Sequence, residues 1–161
     1  MREEPCVRDS VVCHVQRLLA CYRRWTGREL LAGEPGFTTA AGPLGISQLV
    51  FDLPFVVVSH GGGDDPIFNY GNRCAQTLWE LDWDAFTRLP SRQSAEPGHV
   101  AERQGWLDRA ARDGYVTGCH GVRISSSGRR FRISNVTIWN LVDDADRPVG
   151  QAATYRTWEF L

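Results

Sequence analysis

The strongest constraint on the fold lies in the last third of the chain, where three strand-like stretches follow one another with only turn residues between them. "YVTGCHGVRIS", "RRFRISNVTIWNLV" and "PVGQAATYRTWEF" are separated by "SSGR" and "DDADRP". Connections of serine, glycine and aspartate make tight reversals, so the three stretches read as consecutive antiparallel strands. In the middle one, Phe131 and Ile133 alternate with Arg130 and Arg132, giving one apolar and one basic face. Beyond Ser134 the alternation blurs, as it does at a bulge or where both faces of a strand are covered.

The upstream residues supply two more strands and several helices. "LVFDLPFVVVSH" is rich in β-branched and aromatic residues and predicts a strand over Phe55 to Ser59. "PIFNY" predicts a second, pairing with the first as a hairpin. Between them lies "GGGDD". A phosphate-gripping loop leads into a helix N-terminus with a lysine and a hydroxyl, whereas this one leads into a strand and carries Asp64 and Asp65 where an anion would sit. Adjacent acids supply few convergent oxygens for a cation, so the glycines read as a turn. Asn72 is placed to cap a short helix with Ala75, Leu78 and Trp79 facing inward, and Asp82 to cap another through Phe86. A longer helix follows "LPSRQSAEPG", from about His99 to Arg112, with Val100, Arg103, Leu107, Ala110 and Ala111 at helical spacing and Gly114 ending it.

Residues 9–32 show Val11, Val12, Val15, Leu18, Leu19, Tyr22 and Trp25 at the spacing of one helical face, with Asp9 or Ser10 available as N-cap and a stop near Gly33. "GEPGFTTAAGPLGISQ" then reads as a connector. The expected organisation is therefore 1–48 as N-terminal helix and connector, and 49–161 as the main domain. The order of helix, two strands, helices and three strands predicts an α+β fold, a five-stranded antiparallel sheet covered on one face by helices, plus the N-terminal amphipathic helix.

Composition narrows the function classes. The 161 residues and a hydrophobic share of 42% suit one core. Eighteen basic and 19 acidic residues are interleaved to a net charge of -1, which argues against nucleic acid or an acidic membrane as partner. The apolar run "VVCHVQRLLA" is interrupted by His14, Gln16 and Arg17, unlike a signal peptide or a membrane span, so a cytoplasmic protein is expected. Cys6, Cys13, Cys21, Cys74 and Cys119 are scattered and odd in number, which fits reduced thiols better than disulfides or a zinc knuckle.

The element order is that of a PAS domain, and longer motifs carry a more specific likeness. "PFVVVSHGGGDDPIFNYGNR", "FTRLPSRQSAEP", "GVRISSSGRRFRI" and "IWNLVDDADRPVGQAA" resemble the MEKHLA domain, a PAS-like module of bacterial proteins that also occurs in plant class III homeodomain leucine-zipper proteins. The resemblance runs from about Leu49 to Trp158. The family's name motif is missing from the sequence, which points to the stand-alone bacterial type, and without a homeodomain or zipper no DNA-binding role transfers. The resemblance implies a sensory or regulatory domain that binds a small molecule and dimerises; the expected function is sensing of a small molecule or of redox state, signalled through protein contacts, with the apolar face of the N-terminal helix offered to a partner copy in a homodimer. The resemblance implies no catalytic residue, no metal and no identified cofactor. The alternative is a non-ligand-binding interaction module whose cavity is filled by aromatic side chains, of which tryptophan alone supplies six.

Polar or aromatic residues inside apolar elements are the ligand-binding candidates: Asn69, Asn72, Trp79, Trp139 and Gln151. Cys74 in "GNRCAQ" superficially resembles the flavin-reactive cysteine of light-oxygen-voltage domains, but it falls earlier in the element order and reads as a buried helical cysteine. His99 begins a helix and reads as exposed rather than as a haem ligand. Cys119 and His120 are neighbours on a strand and so point to opposite faces, which disfavours a nucleophile and base pair. Ser125, Ser126 and Ser127 read as turn residues, and Arg123, Arg129, Arg130 and Arg132 as a largely solvated cluster.

Overall fold

The computed structural model describes residues 2–38 and 41–161. Its strands are β1 (Val56–Gly61), β2 (Phe68–Gly71), β3 (Tyr115–Ile124), β4 (Arg130–Val142), β5 (Pro148–Tyr155) and β6 (Thr157–Phe160). All pair antiparallel in the order β2-β1-β5-β4-β3, and β6 also lies against β4. β5 is thus inserted between the hairpin and the rest of the meander, running from Val56 opposite Tyr155 to Gly61 opposite Gly150. Gly150 is required there, because a Cβ would collide with the carbonyl oxygen of His60.

The last expected strand is broken in two at Arg156. β5 pairs with β4 over Thr137 to Val142 and β6 over Phe131 to Ser134. Asn135, between the two halves, takes a positive φ of 54°, and the β3 register shifts on both sides of Cys119, which lies opposite the next residue, Val136. A bulge of this kind bends the strand, so its partner bends too. The blurred alternation after Ser134 has a second cause as well. Val136 and Ile138 are buried in one core cluster, whereas Trp139 and Leu141 are buried in another on the opposite face.

Both faces of the sheet are covered. On the inner face, α3 (Arg73–Trp79), α4 (Trp83–Phe86) and α5 (Val100–Asp113) pack against Val56, Val58, Phe131, Ile133 and Tyr155. Asn72 and Asp82 cap α3 and α4 through the amides of Ala75 and Ala85, and Gly114 ends α5. On the outer face lies α1 (Asp9–Thr26), whose Val11, Val15, Leu18 and Cys21 are buried against Val57, Tyr70, Trp139 and Leu141. The apolar stripe expected to meet a partner copy is therefore occupied by the chain's own sheet. α1 ends six residues before the expected limit, because Gly27 adopts the left-handed conformation that closes a helix, and its N-cap position is held by Arg8 without a side-chain bond.

The expected connector contains α2 (Gly42–Phe51), which crosses position 48; Thr39 and Ala40 lie outside the described residues. Two glycines and a proline hid this helix, but Pro43 falls in its first turn, where proline is tolerated, and Val50 and Phe51 are buried. Ser47 ties it to the N-terminus by donating to the Cys6 carbonyl at 2.7 Å. No helix among the described residues is long and apolar enough to cross a membrane.

α1 also makes a polar contact with the sheet. The Ser59 hydroxyl donates to Asn69 Oδ1, so His14 Nε2 is the donor to Ser59 Oγ at 2.8 Å. Burial, and then the charge of Arg17, hold the His14 pKa down to about 4. The folded-state value lies below the ordinary 6.5, so the neutral ring's contribution is complete above about pH 6.5 and is lost as pH falls through 4. Urea denaturation across this range is expected to show a loss of about 2–3 kcal/mol that His14→Gln removes.

Candidate functional site

The inner face of the sheet does not close completely against α5. A cavity of about 60 Å³ remains, lined by Val58, His60, Phe68, Trp79, Arg103, Leu107, Arg123, Ile138, Gln151 and Tyr155 among others. Its walls follow from strand alternation. Val58 and His60 on β1, and Gln151, Ala153 and Tyr155 on β5, are every second residue, so they share the inward face. Arg103 and Leu107, one turn apart on α5, face them.

The polar chemistry of this cavity is unbalanced. Arg103 is 7% exposed and has no hydrogen bond or ion pair among the described residues. Arg123, half-buried on β3, donates only to the Val122 carbonyl beside it, at 3.0 Å. Among the described residues no acid lines the cavity, and Glu102, whose charge acts on Arg123, stands outside it. Burial lowers both arginine pKa values, with Arg103 pushed down to about 10 by desolvation and by the charge of Arg123. Both guanidinium groups stay charged at neutral pH.

Three further groups share the imbalance. Five buried side-chain polar atoms lack a hydrogen-bond partner among the described residues, and three of them, His60 Nε2, Trp79 Nε1 and the Tyr155 hydroxyl, belong to residues lining the cavity. His60 Nδ1 donates to the Gly61 carbonyl at 2.8 Å. Burial lowers its pKa, so the ring is neutral and Nε2 is an acceptor. Burial likewise holds the Tyr155 hydroxyl protonated as a donor. The lining thus brings together two guanidinium groups, an indole N–H and a phenol O–H with the imidazole acceptor of His60. Native interiors seldom leave such groups unpaired.

The five sequence candidates divide between the two faces. Trp79 and Gln151 line the cavity. Asn69 lies at the outer face, where it accepts from Ser59 and borders a groove with His14 and Tyr70. Trp139 is fully buried under α1, its indole donating to the Leu18 carbonyl at 3.1 Å. Asn72 is fully buried and its amide is used throughout. Oδ1 accepts from Val57 N and Ala75 N, and Nδ2 donates to the carbonyls of Phe55 and Val50. Neither Trp139 nor Asn72 retains a donor for a ligand. Sequence reasoning missed Arg103, Arg123, His60 and Tyr155 as a group, although Arg103 carried a signal, an arginine on the apolar stripe of a helix. Arg123 departs from its expected solvated setting, while Arg130 and Arg132 face Glu96 and Glu159 at the surface.

Gln151 connects the cavity to its surroundings. Its Nε2 donates to Leu107 O on α5 at 2.9 Å and to Asn140 Oδ1 at 3.1 Å. Asn140 Nδ2 in turn donates to Ala110 O on α5 at 2.9 Å, and its carbonyl accepts from Trp25 Nε1 of α1 at 2.9 Å.

The remaining candidates lie apart from the cavity. Cys74 borders a groove with Arg73 and Trp158, its thiol pKa raised by burial. Cys119 is buried with its pKa pushed up to about 11, and His120 is exposed and paired with Glu102. Ser125 and Ser127 donate to the Glu80 carboxylate. An isoalloxazine ring does not fit the cavity, because pockets for molecules of that size run to about 300–1,000 Å³.

Two substitutions check these assignments. Asn72→Ala removes a helix cap and leaves buried amide and carbonyl groups unpaired, so equilibrium unfolding is expected to show a loss of about 2–4 kcal/mol. Arg103→Met exchanges an unpaired buried charge for an apolar side chain of similar length. It is expected to raise stability by about 2 kcal/mol, seen as a higher urea midpoint at unchanged slope.

Comparison with known proteins places the fold. The family model of the MEKHLA domain matches residues 12–160. No curated protein matches the chain. Among solved structures, it is similar to the PAS domain of a protein from Colwellia psychrerythraea, with 14% identity, a TM-score of 0.59, and coverage of 71% of this chain and 92% of that one. A PAS domain from a two-component sensor histidine kinase gives 14% identity and a TM-score of 0.55 over 71% and 91% of the two chains. A light-oxygen-voltage domain studied with a flavin analogue gives 15% identity and 0.54 over 76% and 87%. At such identities the likeness is one of fold.

Proposed function

The chain belongs to the MEKHLA domain family, and from that premise we propose that it is a PAS-like sensory or regulatory domain that takes a small molecule into its inner cavity and signals occupancy through protein contacts. The observation that carries this reading is the cavity itself, which lies between sheet and α5 and is edged with buried polar atoms that have no partner among the described residues. An interaction module with a filled core has no use for such groups, since each costs about 1–3 kcal/mol when left unmade. A redox role has less support. Burial raises the thiol pKa of Cys6, Cys74 and Cys119, away from the thiolate that reacts.

The route outward runs through Gln151 and Asn140. Both bond to α5, and the Asn140 carbonyl holds Trp25 of α1. A ligand that draws α5 and the sheet together changes the setting of α1, and the partner that reads the signal, a second copy included, meets the solvent side of that helix. Such a shift requires differential affinity for two arrangements.

Native mass spectrometry of protein purified from its source is expected to show an adduct that dissociates on denaturation and is lost when Ala153→Phe fills the cavity. Protein that carries no adduct, and whose melting temperature is unmoved by any member of a metabolite panel, would reject the reading.

A further inference from the structure

The chemistry of the cavity specifies its occupant more narrowly. Arg103 and Arg123 approach the same space from α5 and from β3, with no carboxylate on the lining. Arg103 has no ion pair among the described residues, and Arg123 feels only the charge of Glu102, which stands outside the lining, so the component this cavity calls for is negative. A guanidinium binds a planar oxyanion through paired N–H donors, and the Trp79 indole and Tyr155 hydroxyl add donors of the same sign.

Size and wall chemistry separate the kinds of oxyanion. At about 60 Å³ the cavity admits only a very small molecule. Val58, Leu107, Val136 and Ile138 supply apolar wall. A tetrahedral phosphate presents oxygen in every direction and leaves some facing this wall, whereas a carboxylate presents oxygen at one end and carbon at the other. The His60 ring adds the last condition. Its Nδ1–H is taken by Gly61 O, so Nε2 offers a lone pair and calls for a donor on the ligand.

We infer that the inner cavity binds a short hydroxycarboxylate, of the size of glycolate or lactate, with its carboxylate on Arg103 and Arg123 and its hydroxyl donating to His60 Nε2. This inference rests on the reading of the cavity as a small-molecule site. It also accounts for Arg103, a buried arginine with no hydrogen bond or ion pair among the described residues.

The test uses the full chain and thermal unfolding at fixed ionic strength, with glycolate, lactate, acetate, propionate, glycolamide and inorganic phosphate as probes. Glycolate or lactate at millimolar concentration is expected to raise the melting temperature in proportion to the logarithm of concentration, and more than acetate or propionate does. Arg103→Met and Arg123→Met are expected to abolish the response, Arg103→Lys to weaken it at least tenfold, and His60→Phe to remove the preference for the hydroxyl. Circular dichroism confirms that each variant is folded, and Arg103→Lys serves where a methionine variant is not. Stabilisation by glycolamide or phosphate equal to or above that of the hydroxycarboxylates overturns the inference and leaves a small-molecule site standing. So does a response that survives in both methionine variants. A flat response to all six probes also overturns it, and the adduct found by native mass spectrometry then decides whether the broader reading stands.

Discussion

The structure depends on the pairing of β1 with β5. These strands are about ninety residues apart in the chain, and their register, from Val56 opposite Tyr155 to Gly61 opposite Gly150, joins the early hairpin to the late meander as one sheet. Loop-closure entropy opposes so distant a contact, so it forms only where burial on both faces rewards it. That reward is visible in β1, whose first five residues are all buried. The close approach needs Gly150 against the His60 carbonyl. The same register sets His60 opposite Gln151, and so defines one end of the cavity.

The two faces of this sheet obey different rules. On the outer face the polar groups are largely matched: Trp139 to Leu18, Trp25 to Asn140, and His14 through Ser59 to Asn69. Burying Trp139 there contributes about 3–5 kcal/mol, judged by what removing such a side chain costs, and its indole bond fixes α1 in register. On the inner face, among the described residues, the Arg103 guanidinium and three neutral groups stand without protein partners, and Arg123 reaches only the carbonyl beside it. A core selected for stability alone would replace them with apolar residues, since an unpaired buried charge costs several kcal/mol. Retained polar groups that break the packing rule are what a binding site requires, and here they converge on one cavity.

Much of this architecture was legible in the sequence, because strand alternation, turn chemistry and helix caps are local. The meander, the hairpin, the caps at Asn72 and Asp82 and the end of α5 at Gly114 all rest on such signals. The helix α2 was hidden because its stability comes from tertiary burial of Val50 and Phe51, which overrides the low propensity of its glycines. The break at Arg156 was hidden because it answers a bulge in another strand. At the site, Trp79 and Gln151 could be named from their setting, but His60, Arg103, Arg123 and Tyr155 belong to four separate elements. Only the fold brings them together. Arginine in a strand reads as solvated by default, and the bulges around Cys119 decide which way Arg123 faces.

The asymmetry of charge also determines how occupancy can act at a distance. Arg103 sits on α5 and Arg123 on the sheet, and the charge of Arg123 acts on Arg103, so like charges bear on the spacing of those two layers. An anion between them reverses the sign of that force. Gln151 and Asn140 tie α5 to the sheet at Leu107 and Ala110, while Trp106 and Glu102 tie it to His120 on β3. A change in the α5 to sheet spacing therefore falls on Asn140, whose backbone carbonyl anchors Trp25 near the end of α1. Charge neutralisation inside and the setting of the outer helix are linked through one strand position, and a ligand that binds only the closed spacing biases both.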